Sequence, residues 1–420
     1  LHGDLLQRAM LLLLALTGST GKEGGGLQIA NSPNARGLTQ FGFSDVGPAF
    51  RLISSTTWDY DHADMKELNQ KIYGNDLAEK FDRYYKKSIE EDWFPDYSKN
   101  GWKMGIFAGN NGANWRATGS TWRKTAFEEL ETIVSLAPDM GVTSLYSDYV
   151  LPIAHHYERN DLMLQSRVPY LQVLNEAVPP LGEAVDDWEA NRRLAEAISR
   201  RAKERNIKPI QDAVDGRTVR RDYTKTLELY TMGGRVNNSK DVAQFIINAS
   251  HGIPKISFEE LSQKGIVKVE GVENTMWEKD ESPYHNEIVK SVRKKLPYET
   301  FTGRQQFYID HEWFIEFGET LPTFKEPLKI DEFPLRMMMG HARHGIHSTW
   351  RDDSFLLSLQ RGEPDIYVNP DDAINRGVED GDMIRIYNTA GEFFAMAHVS
   401  SGIQPGMLFK SGLPSPMNPT

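Results

Sequence analysis

The stretch Gly340–Asp353, GHARHGIHSTWRDD, gathers an unusual density of hydrogen-bonding side chains. His341, His344 and His347 stand three residues apart beside Arg343, Arg351, Ser348 and Thr349. Metal binding, acid–base catalysis and the grip of a large polar cofactor are the three chemistries to weigh. Residues at i and i+3 share a helix face, which is a possible metal-ligand spacing. Gly345 interrupts such a helix, and no carboxylate or cysteine completes a ligand set, so no metal ligand is assigned. Imidazoles satisfied by hydrogen bonds inside a core are the plain structural alternative. The remaining reading is a cradle for an anion and a heterocycle. Guanidinium forks bind phosphate through charge-assisted hydrogen bonds. The hydroxyls of Ser348 and Thr349 and the backbone near Gly345 add further polar groups.

Other polar constellations precede it. In AGNNGANW, Gly109 lets backbone approach a ligand, and Asn110 or Asn111 tolerates left-handed geometry and could bond a sugar or base. A plain strand-to-helix turn explains the same residues, and the string is not a G-x-G-x-x-G fingerprint. Asp139 follows the next strand, where an acidic side chain can bond a ribose hydroxyl or a guanine edge, or can simply serve as a cap or turn residue. In DYVLPIAHHYER, Asp148 reads as structural. His155, His156 and Glu158 read equally as an acid–base cluster or a solvated helix start. In TGRQQFYIDHEWF, Asp310 and His311 could form a relay, or a paired strand edge.

These residues need elements to position them. Strand KMGIFA, turn GNNGANW, helix TWRKTAFEELE, strand TIVSLA, turn and short helix PDMGVTSLY, and strand SDYVLP follow the rhythm of a doubly wound parallel sheet. Ligands in such sheets bind at the carboxyl ends of strands, where Gly109–Asn111 and Asp139 fall. The apolar run at the start, LLQRAMLLLLAL, reads as a buried core helix ending at Gly18, too short to span a bilayer. Residues 61–100 read as a surface helix pair, and 183–206 as a long amphipathic helix. Residues 207–300 give few signals. A Pro-punctuated break near 325–335 precedes a tail of short strands and Gly turns that suggests a small β-barrel.

The chain's 420 residues leave room for two or three domains, and 39% hydrophobic with 25% charged residues is a globular composition. A net charge of −11 argues against nucleic acid as the main partner. With no cysteine, the chain offers no thiolate nucleophile and no cysteine-held cluster. It begins at Leu1 rather than Met and ends on GLPSPMNPT, and reads as a fragment of something longer.

Taken in order, these stretches resemble the molybdopterin (dimethyl sulfoxide reductase) oxidoreductase family over most of the chain. TGSTGKEGGG resembles the family's glycine turn, and FAGNN through IAHHYER its strand–turn–helix block, with Ser147 where alanine is usual. TGRQQFYIDHEWF with FGETLP is similar to the nitrate reductase-like branch. The strings IHSTWRD and LQRGEPDIYVNPDDA look like those of the dimethyl sulfide dehydrogenase, ethylbenzene dehydrogenase, and selenate and chlorate reductase branch.

The resemblance implies an α/β fold: the second half of a split doubly wound parallel-sheet domain over 1–330, its amino-terminal part missing, then a six-stranded double-psi-type β-barrel domain over 331–420. It implies a catalytic subunit that carries molybdenum bis(molybdopterin guanine dinucleotide). Gly109, Asn110, Asn111 and Asp139 would line a guanosine site. His341, Arg343, His344, His347, Ser348 and Thr349 would contact pterin or pyrophosphate. The molybdenum ligand and a four-iron four-sulfur cluster would lie upstream of this sequence, leaving this piece alone inactive, with an exposed sheet edge that invites aggregation. Implied partners are an iron–sulfur electron-transfer subunit, a haem b or membrane-anchor subunit and a small-molecule substrate, in a membrane-associated complex on the periplasmic or, alternatively, the cytoplasmic face. A degenerate relative that keeps the fold without the metal site, as a non-catalytic scaffold or an electron-transfer paralogue, is the rival reading.

Overall fold

The computed structural model describes residues 3–20, 65–91, 93, 102–114, 123–124, 126–164, 170–214, 217–250, 253–269, 292, 294–298, 300–326, 332–340, 353–359, 365–388 and 391–411. Two compact units divide the chain: Leu1–Ala49 with Ala154–Pro327, and Phe50–Ile153 with Leu328–Thr420.

Helix α1 (Gly3–Leu16) ends where Gly18 takes φ +61°, a left-handed cap that an L side chain resists. Leu5 is buried, but Leu6, Met10, Leu13 and Leu16 are exposed. The expected buried core helix is therefore covered on one side only within its unit. Apolar composition along a helix says that burial is favourable, and not which neighbour provides it. Arg8 anchors the covered side: its guanidinium donates to the carbonyls of Glu319 (2.7 Å), Thr320 (2.7 Å) and Phe307 (3.1 Å).

The surface helix pair is present as α2 (Lys66–Tyr73) and α3 (Asn75–Glu90), with the chain reversing at Gly74, φ +80°. A parallel three-stranded sheet follows in the order β1 (Met104–Ala108), β2 (Thr132–Ala137), β3 (Tyr149–Pro152). Its connections carry α4 (Ala126–Glu129) and α5 (Val142–Leu145). One face packs: Phe107, Ala113, Ala126, Phe127, Leu130 and Ile133 form a core. Met104, Ile106 and Tyr149 are exposed on the other face, although parallel strands are usually covered on both.

In the first unit, β4 (Asp161–Leu164) pairs with β5 (Tyr170–Leu174). Next come α6 (Asp187–Glu204), the hairpin β6 (Ile210–Val214) and β7 (Arg217–Arg221), α7 (Ser239–Ala249), α8 (Phe258–Lys264) and β8 (Ile266–Lys268). Strand β8 returns to β5 across about a hundred residues of chain, with Leu171 opposite Val267. Leu171, Ile247, Ile253, Ile256, Leu261 and Val269 fill the core between them. Each such side chain contributes about 2 kcal/mol when fully buried. Short helix α9 (Glu312–Glu316) lies in the segment that Arg8 holds.

The second unit closes with a sheet in the order β11-β12-β10-β13-β9 among the described residues, built from β9 (Arg336–Gly340), β10 (Asp365–Val368), β11 (Met383–Asn388), β12 (Gly391–Val399) and β13 (Met407–Ser411). Strands β11 and β12 form an antiparallel hairpin, with Asn388 opposite Gly391. Strand β10 runs parallel to β12 and antiparallel to β13, and β13 runs parallel to β9. Helix α10 (Pro370–Ile374) follows β10 directly. Asn369 caps it through Asp371 N–H (2.9 Å), and Pro370 fits its first turn, where no N–H is needed. Ile366, Val368, Ala373, Ala395, Ala397 and Leu408 form the core.

Candidate functional site

Strands β1 and β2 run parallel, with Ala108 opposite Leu136, so the turns that follow them emerge side by side at one edge of the sheet. The first turn begins at Gly109, which takes φ +63°. A Cβ built on Gly109 meets nothing within 4 Å, so the backbone here faces open space. Gly112 is different. A Cβ there would lie 2.8 Å from the Phe107 ring, so the turn folds back onto its own strand only because residue 112 has no side chain. Asn110 is exposed at the turn's tip.

Asn111 reaches across to the second turn. Its Oδ1 accepts from both the backbone N–H (3.0 Å) and the hydroxyl (2.7 Å) of Thr143. The Thr143 hydroxyl in turn accepts from the Ala113 N–H (3.1 Å). The second turn, Pro138–Gly141, carries half-buried Asp139. Its carbonyl lies 3.5 Å from the Ser144 hydroxyl, which is 3.0 Å from that of Ser135. Arg123 donates to the Ala113 carbonyl (2.8 Å) and lies over the Tyr146 ring.

The structure thus brings Gly109, Asn110, Asn111 and Asp139 to the same carboxyl edge. His341, Arg343, His344, His347, Ser348 and Thr349 lie outside the described residues, as does most of the glycine-rich loop. Sequence reading does not single out Thr143, Ser144 or Ser135. A Gly-x-Thr-Ser string opening a short helix is the signal, and it is visible only once Asn111 is known to be adjacent.

The other constellations are built as supports. The Asp148 carboxylate accepts from Ile133 N–H (2.7 Å) while the Asp148 N–H donates to the Ile133 carbonyl (2.9 Å), fixing the start of β2. His155 and Glu158 form a reciprocal cap: the His155 N–H donates to Glu158 Oε2 (2.8 Å), and the imidazole accepts from the Glu158 N–H. Arg159 pairs with Asp187 and lies 3.5 Å from Asp161. Of the two readings of the His155–Glu158 cluster, the geometry is that of a helix start. His311 caps α9, its Nδ1 accepting from Trp313 N–H at 3.3 Å. Among the described residues no group of three or more His, Cys, Asp or Glu is placed to hold a metal ion.

The donor set at the sheet edge fits the nucleoside end of a dinucleotide. A positive-φ glycine with open space beside it admits a ligand against backbone. An exposed Asn110 and a half-buried Asp139 stand on adjacent turns beside it.

Comparison with known proteins gives the family. A family model described as molybdopterin oxidoreductase matches residues 2–197, and one described as molydopterin dinucleotide binding domain matches residues 335–412. The respiratory nitrate reductase alpha subunit of Haloferax mediterranei is 32% identical over 96% of this chain and 42% of its own length. The perchlorate reductase alpha subunit of Dechloromonas aromatica and the dimethylsulfide dehydrogenase alpha subunit of Rhodovulum sulfidophilum are each 32% identical over 96% of this chain, and the chain covers 43% and 45% of them. The chain therefore spans less than half the length of these relatives. The solved structure of acetylene hydratase from Pelobacter acetylenicus shares the fold, with a TM-score of 0.60 at 17% identity, covering 96% of this chain and 51% of that one. With both models matched in chain order and relatives 32% identical along 96% of its length, the chain belongs to the molybdopterin oxidoreductase family.

Proposed function

We propose that this chain is the cofactor-cradling part of the catalytic subunit of a molybdenum oxidoreductase, either a respiratory oxyanion reductase or a dehydrogenase of the dimethyl sulfide or ethylbenzene type. The relatives named above act at both kinds of substrate by their names, and this supports the class rather than one member of it. The observation that carries the reading is the pair of joined turns at one sheet edge, Gly109–Ala113 and Pro138–Gly141, in a chain whose tail matches a dinucleotide-binding domain.

In this proposal the cofactor is molybdenum bis(molybdopterin guanine dinucleotide), which supplies oxygen-atom or electron-transfer chemistry when bound. The protein's own residues bind and orient it. The Gly109 backbone and the Asn110 and Asp139 side chains hold guanosine, with Asn111 fixing the turn beneath. His341, Arg343, His344, His347, Ser348 and Thr349 meet pyrophosphate and pterin, where guanidinium forks match phosphate oxygens. The sequence-level domain reading goes with it: an α/β domain over 1–330, the second half of a split doubly wound sheet, and a double-psi-type barrel over 331–420. The matched ranges 2–197 and 335–412 support that order.

The assembly we propose includes an iron–sulfur subunit that takes or delivers electrons, a four-iron four-sulfur cluster in the catalytic subunit, and a haem b or anchor subunit at the periplasmic face of a membrane. The relatives' designation as alpha subunits supports a multi-subunit setting. Among the described residues no helix is long and apolar enough to cross a membrane.

The test is to isolate the whole subunit from an anaerobic, molybdate-supplied host and measure molybdenum by mass spectrometry and guanine nucleotide after acid hydrolysis. Two guanine nucleotides per molybdenum are expected. A fully folded subunit containing neither would overturn the proposal.

A further inference from the structure

Thr143 is 2% exposed, and its neighbours in the same network, Ser144 and Ser135, are 3% and 1% exposed. Buried hydroxyls at a strand–helix interface are costly unless every polar atom is used, and apolar side chains ordinarily fill such positions. At Thr143 both roles of the hydroxyl are used. It donates to Asn111 Oδ1 (2.7 Å) and accepts from Ala113 N–H (3.1 Å), while the Thr143 N–H donates to the same Asn111 oxygen (3.0 Å). One residue on, the Ser144 hydroxyl connects Ser135 of β2 with the Asp139 carbonyl. Consecutive residues of α5 thus tie the first turn at two points and the second at one. A valine at 143 would fill the same volume and keep the backbone hydrogen bond, but could not fix the separation of the two turns through Asn111 and Ala113.

We infer that Thr143 is a positioning residue for the nucleoside end of the dinucleotide, holding the Gly109–Ala113 turn in register with the Asp139 turn before any ligand arrives. This rests on the proposed function, since it takes guanosine to bind between those turns. Thr143 itself need not touch the ligand. Its hydroxyl sets where Gly109 and Asn110 stand relative to Asp139, and the binding site is then preorganised instead of assembled at the expense of ligand affinity.

The experiment compares wild type, Thr143→Val, Thr143→Ala and Thr143→Ser in the whole subunit. One readout is the rate at which bound dinucleotide is lost on dilution, measured as guanine nucleotide remaining with the protein. The other is amide hydrogen exchange at Ala113. Loss of a buried hydrogen-bond pair predicts that the valine variant releases dinucleotide about tenfold faster than wild type. The serine variant should stay within about twofold, because it restores the hydroxyl without the methyl. Exchange at Ala113 should accelerate in the valine variant and not in the serine variant. Thr143→Ala, which removes the hydroxyl with no steric demand, carries the test if the valine variant does not fold. Unchanged retention in the valine and alanine variants, or a serine variant as leaky as valine, would overturn the inference. Wild-type protein free of dinucleotide would sink the proposed function instead, and exchange at Ala113 would still decide whether Thr143 couples the turns.

Discussion

The tip of the Phe409 ring approaches Gly340 so closely that a Cβ on residue 340 would lie 2.6 Å from the ring's Cζ. The two strands run parallel, Phe409 standing opposite Met338. Gly340 is the last residue of β9. Gly340→Ala is expected to displace the half-buried ring and cost about 1 kcal/mol, the low end of overpacking losses. A lowered urea midpoint for the second unit measures it. Pairing with Phe409→Leu, which removes the ring, should recover part of the loss; no recovery would show that the contact is not the cause.

Asn369 has two tasks. Its Oδ1 caps α10, and its Nδ2 donates to the Ile403 carbonyl at 2.6 Å. Asp372, 9% exposed, accepts from Gly406 N–H at 2.6 Å and from Arg376 at 3.2 Å. The NPDDAINRG string therefore pins the turn between β12 and β13 to the helix. Asn369→Ala loses both tasks and should destabilise by about 1–3 kcal/mol. Asn369→Ser keeps the cap but not the reach to Ile403, and should cost less. Equal losses in urea titrations would refute the division of roles.

At the sheet edge, Asn111→Ala leaves the buried Thr143 hydroxyl and N–H without their acceptor, a loss of about 1–3 kcal/mol. Asn111→Asp keeps an oxygen there and should lose less at neutral pH. Thermal unfolding of the two variants side by side gives the ordering, and an aspartate variant worse than alanine would contradict it.

Arg8 donates to three carbonyls and lies over the Phe314 ring at 5.6 Å. A lysine has neither the fork nor the planar face. Arg8→Lys should speed proteolytic cleavage within 307–320 while leaving the second unit's stability alone. Unchanged cleavage would mean that the segment is held by other groups.

Glu189 is held down to about 2 from 4.5, mainly by its hydrogen bond to Arg192 and further by Arg193, with burial opposing. Because its folded value is depressed, the stability it contributes is present above 4.5 and is lost as pH falls toward 2. On a helix surface the gain is no more than about 1 kcal/mol and shrinks with salt. Glu189→Gln should flatten the pH dependence of unfolding between those values, and a wild-type slope in the variant would rule Glu189 out as its source.

Local patterns carried a good part of this fold. Alternating and continuous apolar runs mark β1, β2 and β3. The glycine turns of the tail mark reversals, and the acidic start and apolar stripe of α6 mark a long helix. Each depends on residues within a few positions of one another, so composition and spacing suffice. The strings around Asn110 and Asp139 named polar candidates from side-chain type alone, and the fold sets those two on adjacent turns.

Tertiary structure alone decided the rest. Nothing near Tyr170 in sequence announces Lys268 as its partner, since β pairing across a long loop is selected by shared burial and not by local preference. The apolar run of α1 could not reveal that only Leu5's side would be covered. Thr143, unremarkable in a list of residues, became part of the site only when the fold set Asn111 and Ala113 within hydrogen-bond reach. Sequence fixes what each side chain can bond to, and the fold fixes which partner arrives, because a hydrogen bond forms only over a few ångströms.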